Sequence, residues 1–176
     1  MKKKRISKDE YYLGIAREVS RRSTCFRRSI GAIIIRGDQI ISTGYVGAPR
    51  KTKDSLEHGF CLRDDLKIPH GQRYELCRSV HAEQNAIINA ARAGVSLYGG
   101  DIYIYGSLPG ESKPINAFPC FICKKMIINC GLSRVICSTE DGKMKIFQID
   151  EWTVSYTHLR AHETVLDLVC RLLLEK

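Results

Sequence analysis

The chain has 176 residues, and its 28 Lys or Arg against 19 Asp or Glu give a formal net charge of +9. A length in this range predicts one domain of roughly 150 residues with its own core. No segment approaches the apolar length of a bilayer span, and Met1-Lys2-Lys3-Lys4-Arg5 runs into the polar Ser7-Lys8-Asp9-Glu10 instead of an apolar signal core, which predicts a cytoplasmic protein with no membrane partner.

Ser7 and Glu10 have the spacing of a capping box, and Tyr12, Ile15, Ala16 and Val19 form the buried stripe of a first helix. Residues 30–35 and 39–45 are β-rich runs around Gly37-Asp38, the pattern of a hairpin. Residues 47–79 read as loop, punctuated by Gly47, Pro49, Gly59, Pro69 and Gly71, and long inserts of that kind in compact domains are usually functional. A helix over residues 81–93 ends at Gly94, a strand covers 101–105, a second helix over 119–130 ends at Gly131, and another strand covers 134–138. Residues 145–149 add a last strand, after which Asp150 caps a helix beginning Glu151-Trp152. Helices separating strands in this order predict an α/β fold with a mixed sheet and crossover helices, and ligands in such folds collect at the carboxyl ends of the strands.

His81-Ala82-Glu83 opens the first central helix and Pro119-Cys120-Phe121-Ile122-Cys123 the second. One imidazole and two thiolates are one ligand short of a closed structural zinc site. A Zn2+ on His81, Cys120 and Cys123 therefore keeps a position for water, whose pKa the metal lowers to about 7. Cys120 and Cys123, three apart, share one face of the first helical turn near backbone N–H groups that favour thiolate. Glu83, two positions beyond His81, lies beside the metal rather than on it and is free to move protons. Taken singly, the Cys-x-x-Cys also reads as a redox pair or half a zinc knuckle, and Glu83 as a solvated first-turn acid. Two half-motifs, each at a predicted helix start, favour the catalytic metal.

Several further stretches accompany them in family order: Arg22-Ser23-Thr24-Cys25, Gly44-Tyr45-Val46-Gly47-Ala48-Pro49-Arg50, Cys61-Leu62-Arg63 and Val80-His81-Ala82-Glu83-Gln84-Asn85-Ala86-Ile87. With them the chain resembles the cytidine and deoxycytidylate deaminase superfamily, most closely the bacterial deoxycytidylate deaminases, from about Ile6 to about Trp152. The resemblance implies a three-layer α/β/α fold around a central mixed sheet. It implies one catalytic Zn2+ on His81, Cys120 and Cys123, Glu83 as the catalytic proton carrier, and the Ala82 backbone N–H as a contact to the base. It also implies hydrolytic loss of ammonia from C4 of a cytosine nucleotide, dCMP giving dUMP, in a homo-oligomer. Family members usually carry Asn where this chain has Val46, so the sugar contact or effector role of that loop differs here.

Arg50, Lys51, Arg73 and Arg78 are the candidates for a 5′-phosphate, and residues 106–118 read as a lid, a specificity loop or a tolerated surface insertion. Because related phage enzymes carry a second, structural zinc, Cys25, Cys61 and Cys77 are candidate ligands for one, with His58 or His70 as the fourth; buried or free thiols are the other reading. Cys130 and Cys137 read as core. Two rival functions stand beside the cytosine-nucleotide reading. One is a deaminase of another substrate, such as cytidine, guanine or a tRNA adenosine. The other is a non-catalytic zinc module that binds nucleic acid or a partner protein.

Residues 1–30 hold ten Lys or Arg against three acids. With no aromatic-rich basic stripe beside them, they read as a solvated helix face or a match for an anionic small substrate rather than for nucleic acid. Residues 1–152 are expected to form the deaminase domain. Residues 154–176 resemble a one-frame translation of a sequencing adapter, with Thr153 at the boundary, so 153–176 is expected to be a non-native tail. The alternative there is an amphipathic helix, with Val165, Leu168, Val169 and Leu172 at helical spacing.

Overall fold

The computed structural model describes residues 5–157. The tail expected over 153–176 lies outside the described residues from His158 onward. The Ser7 hydroxyl accepts from the Glu10 N–H at 3.1 Å and the Glu10 carboxylate from the Ser7 N–H at 2.7 Å, so the expected capping box opens α1 (Lys8–Ser20). Strands β1 (Ser29–Arg36) and β2 (Gln39–Tyr45) pair antiparallel around Gly37 and Asp38, whose φ values of 57° and 64° are the left-handed pair a type I′ hairpin demands. Asp38 tolerates that backbone because its carboxylate is anchored to α1. It accepts from the Tyr12 hydroxyl and from Lys8 Nζ, each at 2.7 Å.

The segment read as loop contains two single-turn helices, α2 (Ser55–His58) and α3 (Leu62–Asp65), and a 3-10 turn over Tyr74–Leu76. Turns this short carry no apolar periodicity; α2 is instead held by reciprocal Asp54–Glu57 caps. Helix α4 (Ala82–Arg92) and strand β3 (Asp101–Ser107) follow, then α5 (Phe121–Asn129), β4 (Arg134–Ser138), β5 (Met144–Gln148) and α6 (Ile149–Thr157). Helix α6 begins at Ile149 rather than Glu151. Ile149 is buried in the core and its N–H is taken by the Ser133 carbonyl at 3.1 Å, which fixes the chain there.

The five strands lie in the order β2-β1-β3-β4-β5, with β3 and β4 parallel and every other pair antiparallel. This is the expected mixed sheet, and β3-α5-β4 is its crossover unit. Successive β1 side chains go to opposite faces. Ile33 and Ile35 pack with Tyr12, Ala16 and Tyr103 under α1, whereas Ala32 and Ile34 pack with Ala86, Ala90, Ile102, Ile104 and Ile127 under α4 and α5. Both faces are covered, giving the three α/β/α layers, and each fully buried Ile contributes about 1.5–3 kcal/mol. Cys137 is fully buried in this core and Cys130 packs against it, as expected. Among the described residues no helix is long and apolar enough to cross a membrane.

Candidate metal centre

Two helix starts meet at the ligand set. His81 is the N-cap of α4, with the extended backbone (φ −68°, ψ 154°) that turns a side chain off the end of the helix, and its own N–H is taken by Gln84 Oε1 at 3.1 Å. Cys120 is the N-cap of α5 with nearly the same backbone (φ −68°, ψ 169°), and Cys123 is the third residue of that helix. Pro119 thus precedes the cap instead of sitting in the first turn. His81 Nδ1 lies 3.5 Å from Cys120 Sγ and 3.4 Å from Cys123 Sγ, and the three ligand atoms all fall within 4.8 Å of one another. Donors about 2.1 and 2.3 Å from a tetrahedral zinc stand about 3.6 Å apart. The donor set fits zinc in chemistry and spacing, with one position left over.

Glu83, the second residue of α4, is 5% exposed. Burial pushes its carboxyl up from the usual range, against partial opposition from its own backbone N–H, His81 and Cys123. The hydrogen bond from Cys123 pulls Cys120 down to about 4, and the same bond, reinforced by burial, pushes Cys123 up. His81 is raised by its contact with Cys120. A thiolate formed this readily beside an imidazole is what a soft divalent cation takes up. Ala82 is fully buried as the first residue of α4.

His81, Glu83 and Cys120 line a cavity of about 290 Å³. Ile30, Val46, Ala117 and Phe118 supply apolar wall, and Asn116 a polar group. The segment after β3 is fastened rather than loose at its returning end. Ser138 Oγ accepts from the Gly106 N–H at 3.1 Å and donates to the Ile115 carbonyl at 3.0 Å, while the Ala117 N–H reaches the Ser138 carbonyl at 3.1 Å. Asn116 to Phe118 therefore form fixed wall.

The cations expected at a phosphate lie elsewhere. Arg50 donates to Asn89 Oδ1 at 2.7 Å, Arg73 pairs with Glu75, Arg78 meets His58 Nε2 at 3.0 Å, and none of these, nor Lys51, lines the cavity. Arg27, Arg28 and Arg63 line it instead. Arg27 and Arg28 precede β1 and Arg63 lies in α3, so no local pattern brings the three together. Cys25, Cys61, Cys77 and His70 also line the cavity, whereas His58 faces Arg78 and Phe60. His81, Cys120 and Cys123 are the set whose ligand atoms converge among the described residues, and the other three cysteines do not form such a group.

A mixed α/β sheet with an open His-Cys-Cys ligand set at two helix starts defines a class of zinc-binding protein. The family model for the cytidine and deoxycytidylate deaminase zinc-binding region matches residues 6–139, and the chain belongs to this family. The deoxycytidylate deaminase of Mycobacterium phage D29 is 31% identical over 133 residues, covering 73% of this chain and 91% of the phage protein. ComE operon protein 2 of Bacillus subtilis is 29% identical over 167 residues, covering 93% of this chain and 77% of that protein. The deoxycytidylate deaminase of Schizosaccharomyces pombe is 31% identical over 135 residues, and the match spans 77% of this chain but 38% of the yeast protein. Among solved structures, the dCMP deaminase of cyanophage S-TIM5 in complex with dCMP and dUMP has a TM-score of 0.55 and 25% identity over 77% of this chain and 85% of that one.

Proposed function

We propose that the chain is a zinc-dependent deaminase that hydrolyses a cytosine nucleotide, dCMP above all, to the uracil nucleotide and ammonia. The observation that carries this reading is the convergence of His81, Cys120 and Cys123 within 4.8 Å beside a buried Glu83 in one cavity. His81, Cys120 and Cys123 would hold the zinc, which supplies Lewis acidity that makes water nucleophilic near neutral pH. The relatives from phage D29 and S. pombe are named deoxycytidylate deaminases, and this supports dCMP over other bases.

Glu83 carries the protons. Its buried carboxyl takes a proton from the attacking water and gives it to N3 of the base, then carries the proton of the resulting C4 hydroxyl to the departing amine. The Ala82 backbone N–H, one of the unpaired donors of the first helical turn, holds the base carbonyl. Val46, 8% exposed and in the cavity wall, offers the sugar an apolar contact. The same reading puts the enzyme in the cytoplasm, where free thiols and thiolate ligands persist, and in a homo-oligomer. Ammonia release from dCMP, CMP, cytidine and guanine by the zinc-loaded protein tests it. Turnover of dCMP ahead of the other three is expected. Release from guanine alone, or from none, refutes it.

A further inference from the structure

Three aromatic rings run in contact from the buried core to the cavity that holds His81 and Glu83. Phe118 lines that cavity two residues before Cys120 and is 44% exposed. The Ala117 N–H beside it reaches the Ser138 carbonyl at 3.1 Å, which holds the backbone but leaves the side-chain torsions of Phe118 free. Phe147 fixes the ring itself, meeting it at 86° with centroids 5.5 Å apart, an edge-to-face pair. Phe147 stands opposite Val135 on the β4–β5 ladder, so it projects from the sheet face that α4 and α5 cover. Behind it lies Trp152 of α6, 8% exposed, with centroids 5.6 Å apart. Lys124 Nζ stands 4.9 Å from the centroid of the Trp152 ring, which ties the last ring to α5, the helix whose N-cap is Cys120. A ring backed this firmly and left bare toward the cavity presents a preset apolar surface to whatever enters.

We propose that Phe118 packs against the heterocycle of the bound substrate, and that Phe147 and Trp152 are positioning residues that hold its ring for that contact. The assignment rests on the cytosine-nucleotide reading above. Of the parts of such a nucleotide the pyrimidine is the flat, aromatic one, and aromatic pairs gain more than their buried area alone. The other apolar wall groups, Ile30, Val46 and Ala117, are aliphatic, and the Tyr74 ring is already met by the Arg63 guanidinium at 5.0 Å. A phenyl ring turning freely would lose that freedom on binding. Two buttressing rings remove it beforehand, so the contact forms at a smaller entropic cost. Strand β5 and helix α6, which carry no candidate metal ligand, thereby set substrate affinity through two ring contacts.

The test titrates the zinc-loaded protein with dUMP, the product of the proposed reaction, by calorimetry and by tryptophan emission. Trp152 is the one tryptophan of the chain, so the emission reports on this stack, and dUMP should change it. The Kd for dUMP should rise roughly 3- to 10-fold in Phe118→Leu and by at least about 2-fold in Phe147→Leu. Because Phe147 acts through Phe118, the double variant should bind no worse than Phe118→Leu, which a role in stability alone would not produce. An unchanged Kd in either single variant, or multiplied losses in the double one, overturns the proposal. Should Phe147→Leu not fold, Trp152→Phe takes its place in the calorimetric cycle, with the same outcomes upholding or refuting it. Ammonia release by the parent is measured alongside. Turnover of dCMP with a Kd untouched by Phe118→Leu refutes the stack and leaves the cytosine reading in place. Release from guanine instead refutes that reading and moves the titration to xanthine, where the same rises uphold the stack. A parent that acts on neither and binds no dUMP refutes both.

Discussion

Gly31 and Gly44 lie one register step apart on the β1–β2 ladder, where Gly31 pairs with Tyr45 and Gly44 with Ala32, so they look out of opposite faces of the sheet. A Cβ on Gly44 would stand 2.3 Å from the Ala86 nitrogen and 2.4 Å from the Ala82 oxygen of α4. One on Gly31 would stand 2.3 Å from the Ser20 nitrogen and 2.4 Å from the Ala16 oxygen of α1. Ordinary contact begins at 3.4 Å, and the obstacle in both cases is helix backbone, which no rotamer change removes. Either Ala substitution therefore lifts its helix by about 1 Å, and overpacking of this kind costs about 1–3 kcal/mol. At 3 kcal/mol the melting temperature falls by roughly 6–12 °C.

The two variants then part company because their helices carry different cargo. Helix α4 starts one residue after His81 and holds Glu83 in its first turn, and it is tied to β2 by Ser42 to the Ala86 carbonyl, Asn85 to the Tyr45 carbonyl and Asn89 to the Thr43 carbonyl. No α1 residue lines the metal-ligand cavity. A misplacement of about 1 Å costs on the order of 10²-fold in turnover. Gly44→Ala should lose stability and, in addition, zinc retained through gel filtration and about 10²-fold in ammonia release from dCMP at 20 °C. Gly31→Ala should lose similar stability while keeping zinc and turnover. Gly14→Ala, exposed in the middle of α1 with nothing within 4 Å of the added Cβ, should gain about 0.5–1 kcal/mol. Thermal unfolding followed by circular dichroism reads all three. Parallel loss of zinc and turnover in Gly31→Ala and Gly44→Ala, or a Gly44→Ala as stable as the parent, refutes the reasoning.

Glu83→Gln should retain zinc and fold while losing roughly 10²- to 10⁴-fold in kcat, read by metal content and ammonia release; turnover near the parent value would remove Glu83 from proton transfer. Cys120→Ala should release the metal, and a chelator should then lower the melting temperature of the parent but not of the variant. Ser138→Ala leaves the Gly106 N–H buried without its acceptor and should cost about 1–3 kcal/mol in a denaturant titration, whereas a midpoint shift below about 0.5 kcal/mol would show that the wall over Asn116 to Phe118 does not depend on it.

What the sequence made legible was what local rules encode. The capping box at Ser7 and Glu10, the hairpin at Gly37-Asp38 and the two helix starts at His81 and Cys120 are each written within a few residues, and the structure has each of them. The three ligands could be grouped because two short motifs of fixed spacing carry them. The cationic wall could not. Arg27 and Arg28 stand in the turn before β1, and Arg63 sits in a four-residue helix inside a segment of irregular backbone, so only tertiary placement reveals that all three face the metal ligands. Charge by itself pointed to Arg50, Lys51, Arg73 and Arg78, and a surface cation gives the same signal in sequence as a buried one. Burial is the distinguishing property, clearest at Arg63, and it belongs to the folded molecule.

The use of N-cap positions for two of the three candidate ligands has a physical reason that goes beyond reach. An N-cap residue has extended backbone, so its side chain projects past the first turn, into the region where the unpaired N–H groups of that turn concentrate positive potential. His81 and Cys120 share this backbone to within 15° in ψ, and α4 and α5 pack against each other. Their positive ends therefore flank one small volume that contains two thiols and a carboxyl. A thiolate placed at a helix C-terminus, or along a strand, would have no fixed dipole to offset it before a cation arrives. At paired N-termini a thiolate at Cys120 is tolerable in the folded chain, and the hydrogen bond from Cys123 pulls that thiol down to about 4.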